Sequence, residues 1–261
     1  MKLGFIGLGH MGSAILNGIL EHRLVAPENI YVSRKHPELS SDLAALGIHV
    51  MSSNKEVAAH CDTVVLAVKP YLIAPVIDEM GEELHQKLVL SIAAGWTPER
   101  FSAALPHSRF ICLMPNVPVS IAEGCTMINA EGQYTKEDMD AAEYLFQSIG
   151  QTHVVEDRIF SACGTLTGCG PAFVFEFIEA LCDAAVVTGI PKALAKNLAA
   201  EMVIGSAKMV LQSEKHPCEL KDEVCSPGGS TIEGIRTLHD RGFHSAVLEA
   251  VLSAREKGKK L

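Results

Sequence analysis

Short β-branched runs alternate with amphipathic stretches through roughly the first 156 residues of the chain. Leu3–Ile6, Ile30–Val32, Ile48–Met51, Thr63–Val68, Leu88–Ile92, Phe110–Met114, Cys125–Asn129 and Thr152–Val155 each read as a strand. Strands alternating with helical patterns predict a parallel sheet covered on both faces. Thr63–Val68 has no polar alternation, as expected of a strand buried on both sides. The last two strands are expected to pair antiparallel at the sheet edge. After Asp157 the period changes, and Pro171–Thr188, Pro191–Gln212, Pro217–Cys225, Thr231–Asp240 and Phe243–Lys257 read as helices. Pro171, Pro191 and Pro217 fall in expected first turns, where a missing N–H costs no intrahelical bond. The fold class is therefore α/β over residues 1–157, followed by an all-α domain over 158–261.

Composition supports two domains, because 48% apolar content in 261 residues is ample for two cores. A net charge of −9 opposes nucleic acid and anionic lipid, so neither is an expected partner. An acidic chain that binds an anionic cofactor must instead concentrate positive potential locally, at helix N-termini and a few basic side chains. The longest apolar stretch, Pro171–Ile190, contains Glu176, Glu179 and Asp183 and reads as a buried helix rather than a membrane span. Eight cysteines occur with no CxxC pair and no zinc-type spacing, so no metal site is expected. Reduced thiols, and an opening Met1–Gly7 that leads into a strand rather than a signal segment, point to a cytoplasmic protein.

The first candidate chemistry lies at Gly7-Leu8-Gly9-His10-Met11-Gly12, a Gly-x-Gly-x-x-Gly set between a strand and the helical pattern Ser13–His22. The first glycine permits a tight turn, the second admits backbone to a pyrophosphate, and the third lets the helix pack closely on the strand. This predicts an N-terminal Rossmann-type dinucleotide-binding domain. The second strand ends Tyr31-Val32-Ser33-Arg34-Lys35, where an enzyme using NAD would carry an acid for the ribose 2′-hydroxyl. A hydroxyl followed by two cations suits a 2′-phosphate, with Arg34 as its fork, although a solvated basic turn explains the same residues. NADPH is the expected cofactor and NADH the weaker alternative. Val68-Lys69-Pro70, Ala93-Ala94-Gly95 and Met114-Pro115-Asn116 share a register at strand C-termini, the rim where such sheets bind ligands. Small residues there would admit a nicotinamide ring, while Lys69 and Asn116 would supply polar contacts.

The most specific segment is Leu220 to Gly234, which contains Ser226-Pro227-Gly228-Gly229-Ser230-Thr231. Ser-Pro-Gly-Gly breaks one helix and starts another, leaving N–H groups and three hydroxyls near a helix N-terminus. Such a nest would hold a carboxylate, and helix capping explains the hydroxyls about as well.

That segment resembles the signature of pyrroline-5-carboxylate reductases. The likeness extends through Gly4–Gly12, Val68-Lys69-Pro70, Ser91–Gly95, Arg109–Asn116, Gly168-x-Gly170-Pro171-Ala172 and Ser226–Thr231, in family order. The resemblance implies a helical dimerisation domain and hence a homodimer or an assembly of dimers. It also implies hydride transfer from NAD(P)H to 1-pyrroline-5-carboxylate, giving L-proline. Carried over by position, Ser33, Arg34, Asn54, Ala67, Val68, Lys69, Ala93 and Gly95 join the glycine loop in holding cofactor. Ser226, Gly228, Gly229, Ser230 and Thr231 would hold substrate, with the Thr231 hydroxyl as the catalytic donor near the imine nitrogen. This chain departs from the family at Cys169 and Phe173, where Ser and Tyr are common, and at Glu223, where some relatives carry an amide. Rival expectations are a reductase of another small cyclic imine and a non-catalytic NADP-binding protein. A hydroxyacid dehydrogenase would place a lysine on the helix after Gly170, and none occurs before Lys192.

Overall fold

The computed structural model describes residues 1–33 and 41–259, so Arg34 and Lys35 lie outside the described residues. The chain divides into two compact units, Met1–Cys169 with the stretch from Arg255 onward, and Gly170–Ala254. Eight strands of the first unit form one sheet: β1 (Leu3–Ile6), β2 (Ile30–Ser33), β3 (His49–Val50), β4 (Thr63–Leu66), β5 (Leu88–Ser91), β6 (Arg109–Met114), β7 (Gly124–Gln133) and β8 (Gly150–Val155). Their order is β3-β2-β1-β4-β5-β6-β7-β8, and every pairing from β3 through β6 is parallel. The connection reverses direction between β1 and β4, the switch point at which open α/β sheets bind ligands.

At the far edge β7 runs antiparallel to β6, and β8 runs parallel to β7. The expected antiparallel pairing of the last two strands is thereby corrected. Both run against the first six, yet they are parallel to each other because a crossover helix, Lys136–Gln147, carries the chain back between them.

Six helices accompany the sheet among the described residues of this unit: α1 (His10–Glu21), α2 (Ser41–Ala45), α3 (Asn54–His60), α4 (Ile73–Met80), α5 (Pro98–Ala104) and α6 (Lys136–Gln147). The central strands bury both faces, which accounts for their lack of alternation. Leu3, Phe5 and Val65 pack with Ile15, Leu16 and Ile19 of α1 on one face. Ile6, Val64 and Leu66 pack with Val57, Ile73 and Ile77 of α3 and α4 on the other. Each such buried aliphatic or aromatic side chain contributes about 1.5–3 kcal/mol. The sheet is thus a firm platform whose parallel strands all deliver their C-terminal turns to one edge.

The remaining helices are α7 (Asp157–Val187), α8 (Lys192–Gln212), α9 (Pro217–Val224), α10 (Ser230–Asp240) and α11 (Phe243–Gly258). Pro191 is the N-cap of α8 and Pro217 opens α9. Pro171 departs from expectation, because α7 begins fourteen residues before it and runs through it. Aspartate at position 157 supports that earlier start by placing a negative charge in the first turn. Within α7 the proline removes the N–H that would reach the carbonyl of Thr167, four residues back. Asn116 supplies a donor instead, its Nδ2 lying 3.1 Å from the Thr167 carbonyl oxygen.

Candidate active site

The turn after β1 is shaped by glycines. Gly7 has a φ of +87°, a conformation that side chains disfavour, and a Cβ there would lie 2.6 Å from Val68 Cγ1. Its N–H donates to the Ser33 carbonyl at 3.1 Å, tying the exits of β1 and β2 together. A Cβ at Gly12 would approach the Gly7 carbonyl oxygen to 2.6 Å, so α1 packs directly on the turn. Gly9 is the N-cap of α1, receives no side-chain cap, and has nothing within 4 Å of the position a Cβ would take. The first-turn N–H groups at His10 and Met11 are therefore available to an anion, and the helix dipole favours one. Leu8, between the first two glycines, is buried in the core cluster. These features fit a dinucleotide pyrophosphate.

Beside this turn the end of β2 meets the start of α3. Ser33 is 4% exposed, and its hydroxyl donates to Asn54 Oδ1 at 2.5 Å. Asn54 Nδ2 donates in turn to Glu79 Oε2 at 2.6 Å, and the Asn54 backbone N–H donates to Glu79 Oε1 at 3.2 Å. Glu79, on α4, thereby satisfies one of the free donors at the N-terminus of α3 and orients the Asn54 amide. Nothing in the sequence pairs residues twenty-five positions apart, and Glu79 was not among the expected site residues.

Ala67, Val68 and Lys69 leave β4, Ala93 and Gly95 leave β5, and Asn116 follows β6, all on the edge that carries the glycine turn. The exposed Lys69 side chain stands on this rim. Two further residues brace it. The Trp96 indole N–H donates to the Pro70 carbonyl at 2.9 Å, joining the β4 and β5 turns. The Arg100 guanidinium lies 4.4 Å from the Trp96 ring centroid and donates to the Gly95 carbonyl at 3.0 Å. The chain's single tryptophan directly after Ala93-Ala94-Gly95 was the available signal for this brace. Asn116 is buried, and its amide is engaged at both ends: Oδ1 accepts from the Cys125 N–H at 2.8 Å while Nδ2 reaches Thr167.

The Ser226–Thr231 segment belongs to the second unit. Gly229 N–H donates to the Ser226 carbonyl at 3.0 Å, closing a turn with Pro227 and Gly228 at its centre. Gly228 has φ +70°, which glycine adopts without strain and which the third position of such a proline turn requires. Gly229 is the N-cap of α10 and makes no side-chain cap bond. Among the described residues, no hydrogen bond occupies the hydroxyls of Ser226, Ser230 or Thr231, all exposed, so the capping alternative has no contact behind it. The turn presents free N–H groups at the head of a helix together with free hydroxyls, a suitable cradle for a carboxylate. Glu223, just upstream, pairs with Lys215.

A sheet in this order, parallel from β3 through β6, with a glycine turn at the head of α1 and a helical second unit, defines the Rossmann-type class of dinucleotide-binding proteins. Residues 157–261 match the family described as pyrroline-5-carboxylate reductase dimerisation, and residues 2–95 match NADP oxidoreductase, coenzyme F420-dependent. The chain is 42% identical to pyrroline-5-carboxylate reductase of Escherichia coli (strain K12), over 100% of this chain and 98% of that protein. It is 40% identical to the enzyme of that name from Methanosarcina acetivorans, over 100% and 97% of the two chains. The crystal structure of Plasmodium falciparum pyrroline carboxylate reductase with NADP bound superposes with a TM-score of 0.92 at 34% identity, covering 100% of this chain and 97% of that one. The chain belongs to the pyrroline-5-carboxylate reductase family.

Proposed function

We infer that this protein reduces 1-pyrroline-5-carboxylate to L-proline with NADPH, the closing step of proline biosynthesis. Full-length membership in the family, at 42% identity, carries this reading. When bound, the reduced nicotinamide supplies a hydride to the imine carbon. The chain supplies placement and proton handling. Gly7, Leu8, Gly9, His10, Met11 and Gly12 hold the pyrophosphate. Ser33, Arg34 and Asn54 serve the adenosine ribose, and Ala67, Val68, Lys69, Ala93 and Gly95 form the rim for the rest of the dinucleotide, with Asn116 at its end. Ser226, Gly228, Gly229 and Ser230 hold the substrate carboxylate. The Thr231 hydroxyl orients toward the imine nitrogen and relays a proton to it as the C=N bond becomes C–N. A threonine is too weak an acid to be the net source, so water or prior protonation of the imine provides that proton.

In this reading residues 1–157 serve the dinucleotide, while 158–261 serve substrate and assembly in a cytoplasmic homodimer or a set of dimers. The apolar exposure of the helical unit supports assembly: within Gly170–Ala254 only Ala195 and Ala199 are buried. No helix among the described residues is long and apolar enough to cross a membrane. The test is oxidation of NADPH, followed by its absorbance, with pyrroline-5-carboxylate and with the six-membered cyclic imine. We expect turnover that favours the five-membered ring. Preference for the larger ring would assign another imine, and NADPH binding without turnover on either would leave a binding protein.

A further inference from the structure

We propose that Glu79 is a positioning residue that sets the choice between NADPH and NADH by fixing the direction of the Ser33 hydroxyl. The proposal rests on the reading above that Ser33 faces the adenosine ribose. A carboxylate only accepts hydrogen bonds. With Glu79 Oε2 at 2.6 Å, the group of Asn54 that faces it must be the NH2, so Oδ1 must face Ser33. The Ser33 proton is then committed to Asn54 at 2.5 Å. A hydroxyl whose proton is spent this way offers only lone pairs to a ligand.

Lone pairs suit a ribose 2′-hydroxyl, which can donate a proton, and they oppose a 2′-phosphate, which presents acceptor oxygens. To serve NADPH, Ser33 must turn its proton toward the phosphate, leaving its oxygen and Asn54 Oδ1 as facing acceptors. Reversing the Asn54 amide would relieve that conflict but would turn Oδ1 against the Glu79 carboxylate. The Asn54 backbone N–H, 3.2 Å from Glu79 Oε1, holds the carboxylate in place and closes this escape. Glu79 thus keeps NADH competitive in a site whose Ser33-Arg34-Lys35 segment is written for NADPH.

Glu79→Gln removes the lock, since a glutamine amide can donate to Asn54 Oδ1. Asn54 then donates to Ser33, and Ser33 donates to phosphate. Dissociation constants for NADPH and NADH, measured by nicotinamide fluorescence without any imine, and kcat/KM for both with pyrroline-5-carboxylate are compared in parent, Glu79→Gln, Ser33→Ala and the double variant. We expect Glu79→Gln to shift both ratios toward NADPH by about three- to tenfold, the worth of one neutral hydrogen bond. In the Ser33→Ala background the shift should vanish. Both nucleotides are measured on one preparation, so partial loss of folded protein cancels from each ratio. An unchanged ratio overturns the proposal, as does a shift that persists undiminished without Ser33, because the carboxylate's charge would then be acting directly on the phosphate. A parent that binds nucleotides normally but does not reduce the imine refutes the functional reading alone, and the binding ratios still decide the role of Glu79.

Discussion

At the scale of single residues, Thr231 offers the sharpest separation of chemistry from structure. Among the described residues its hydroxyl has no hydrogen-bond partner, and the N-cap of α10 is Gly229 with no side-chain cap bond, so truncation removes no cap bond. We expect Thr231→Val to lower kcat at least tenfold, about 1.4 kcal/mol of transition-state stabilisation, with NADPH affinity little changed. Parent-like turnover with only a lowered melting temperature would strike Thr231 from the mechanism. At Arg34 the expectation comes from charge: Arg34→Ala should weaken NADPH about ten- to a hundredfold more than NADH, the loss of a charge-assisted contact of roughly 1.5–3 kcal/mol. Equal losses for both nucleotides in a binding titration would count against it. The glycine turn was legible in the sequence because steric rules act on neighbours: Gly7, Gly9 and Gly12 are adjacent in sequence and in space. Glu79 was not legible, because its partner Asn54 is twenty-five residues away and the amide orientation that matters exists only once α3 and α4 are packed.

Secondary elements show the same division between local and distant causes. Strands β1, β4 and β5 begin where hydrophobic runs placed them, since a strand buried on both faces announces itself by composition. Helix α7 did not, because the rule that proline opens helices is local and the exception here is supplied from fifty-one residues away. The Thr167 carbonyl, left without its donor by Pro171, is taken up by Asn116 Nδ2. This makes the two residues energetically dependent on each other. Asn116→Asp keeps the acceptor for the Cys125 N–H but turns an oxygen toward the Thr167 carbonyl, and should cost about 1–3 kcal/mol in urea denaturation. Pro171→Ala restores the helix N–H to that carbonyl, so in its background the cost of Asn116→Asp should fall by about 1 kcal/mol. Additivity of the two changes within roughly 0.5 kcal/mol would show that the carbonyl is not shared in this way.

For the molecule as a whole, the decisive feature is how little of the helical unit is covered by its own chain. Leu194, Leu198 and Met202 recur at four-residue spacing on α8, each close to half exposed, while Val187 and Leu211 are more than four-fifths exposed. A soluble monomer rarely leaves so much contiguous apolar surface to water. The family resemblance implied an assembly of at least two chains, and the match of residues 157–261 to a dimerisation family agrees with a second chain as the cover. If another copy covers this surface, the protein should scatter light at no less than twice its 28.0 kDa, and its melting temperature should rise with protein concentration by mass action. Leu198→Glu together with Met202→Glu distinguishes the alternatives. At truly solvent-facing sites these changes would each fall within about 0.5 kcal/mol of neutral. Buried against a partner, two unpaired carboxylates would cost several kcal/mol, split the assembly and abolish the concentration dependence of melting. Because α10 and its Ser226–Thr231 turn belong to the same helical unit, imine turnover should fall with dissociation while NADPH binding by the sheet domain largely survives. A double variant that keeps the parent mass, melting behaviour and kcat would show that α8 faces water and that assembly, if any, lies elsewhere.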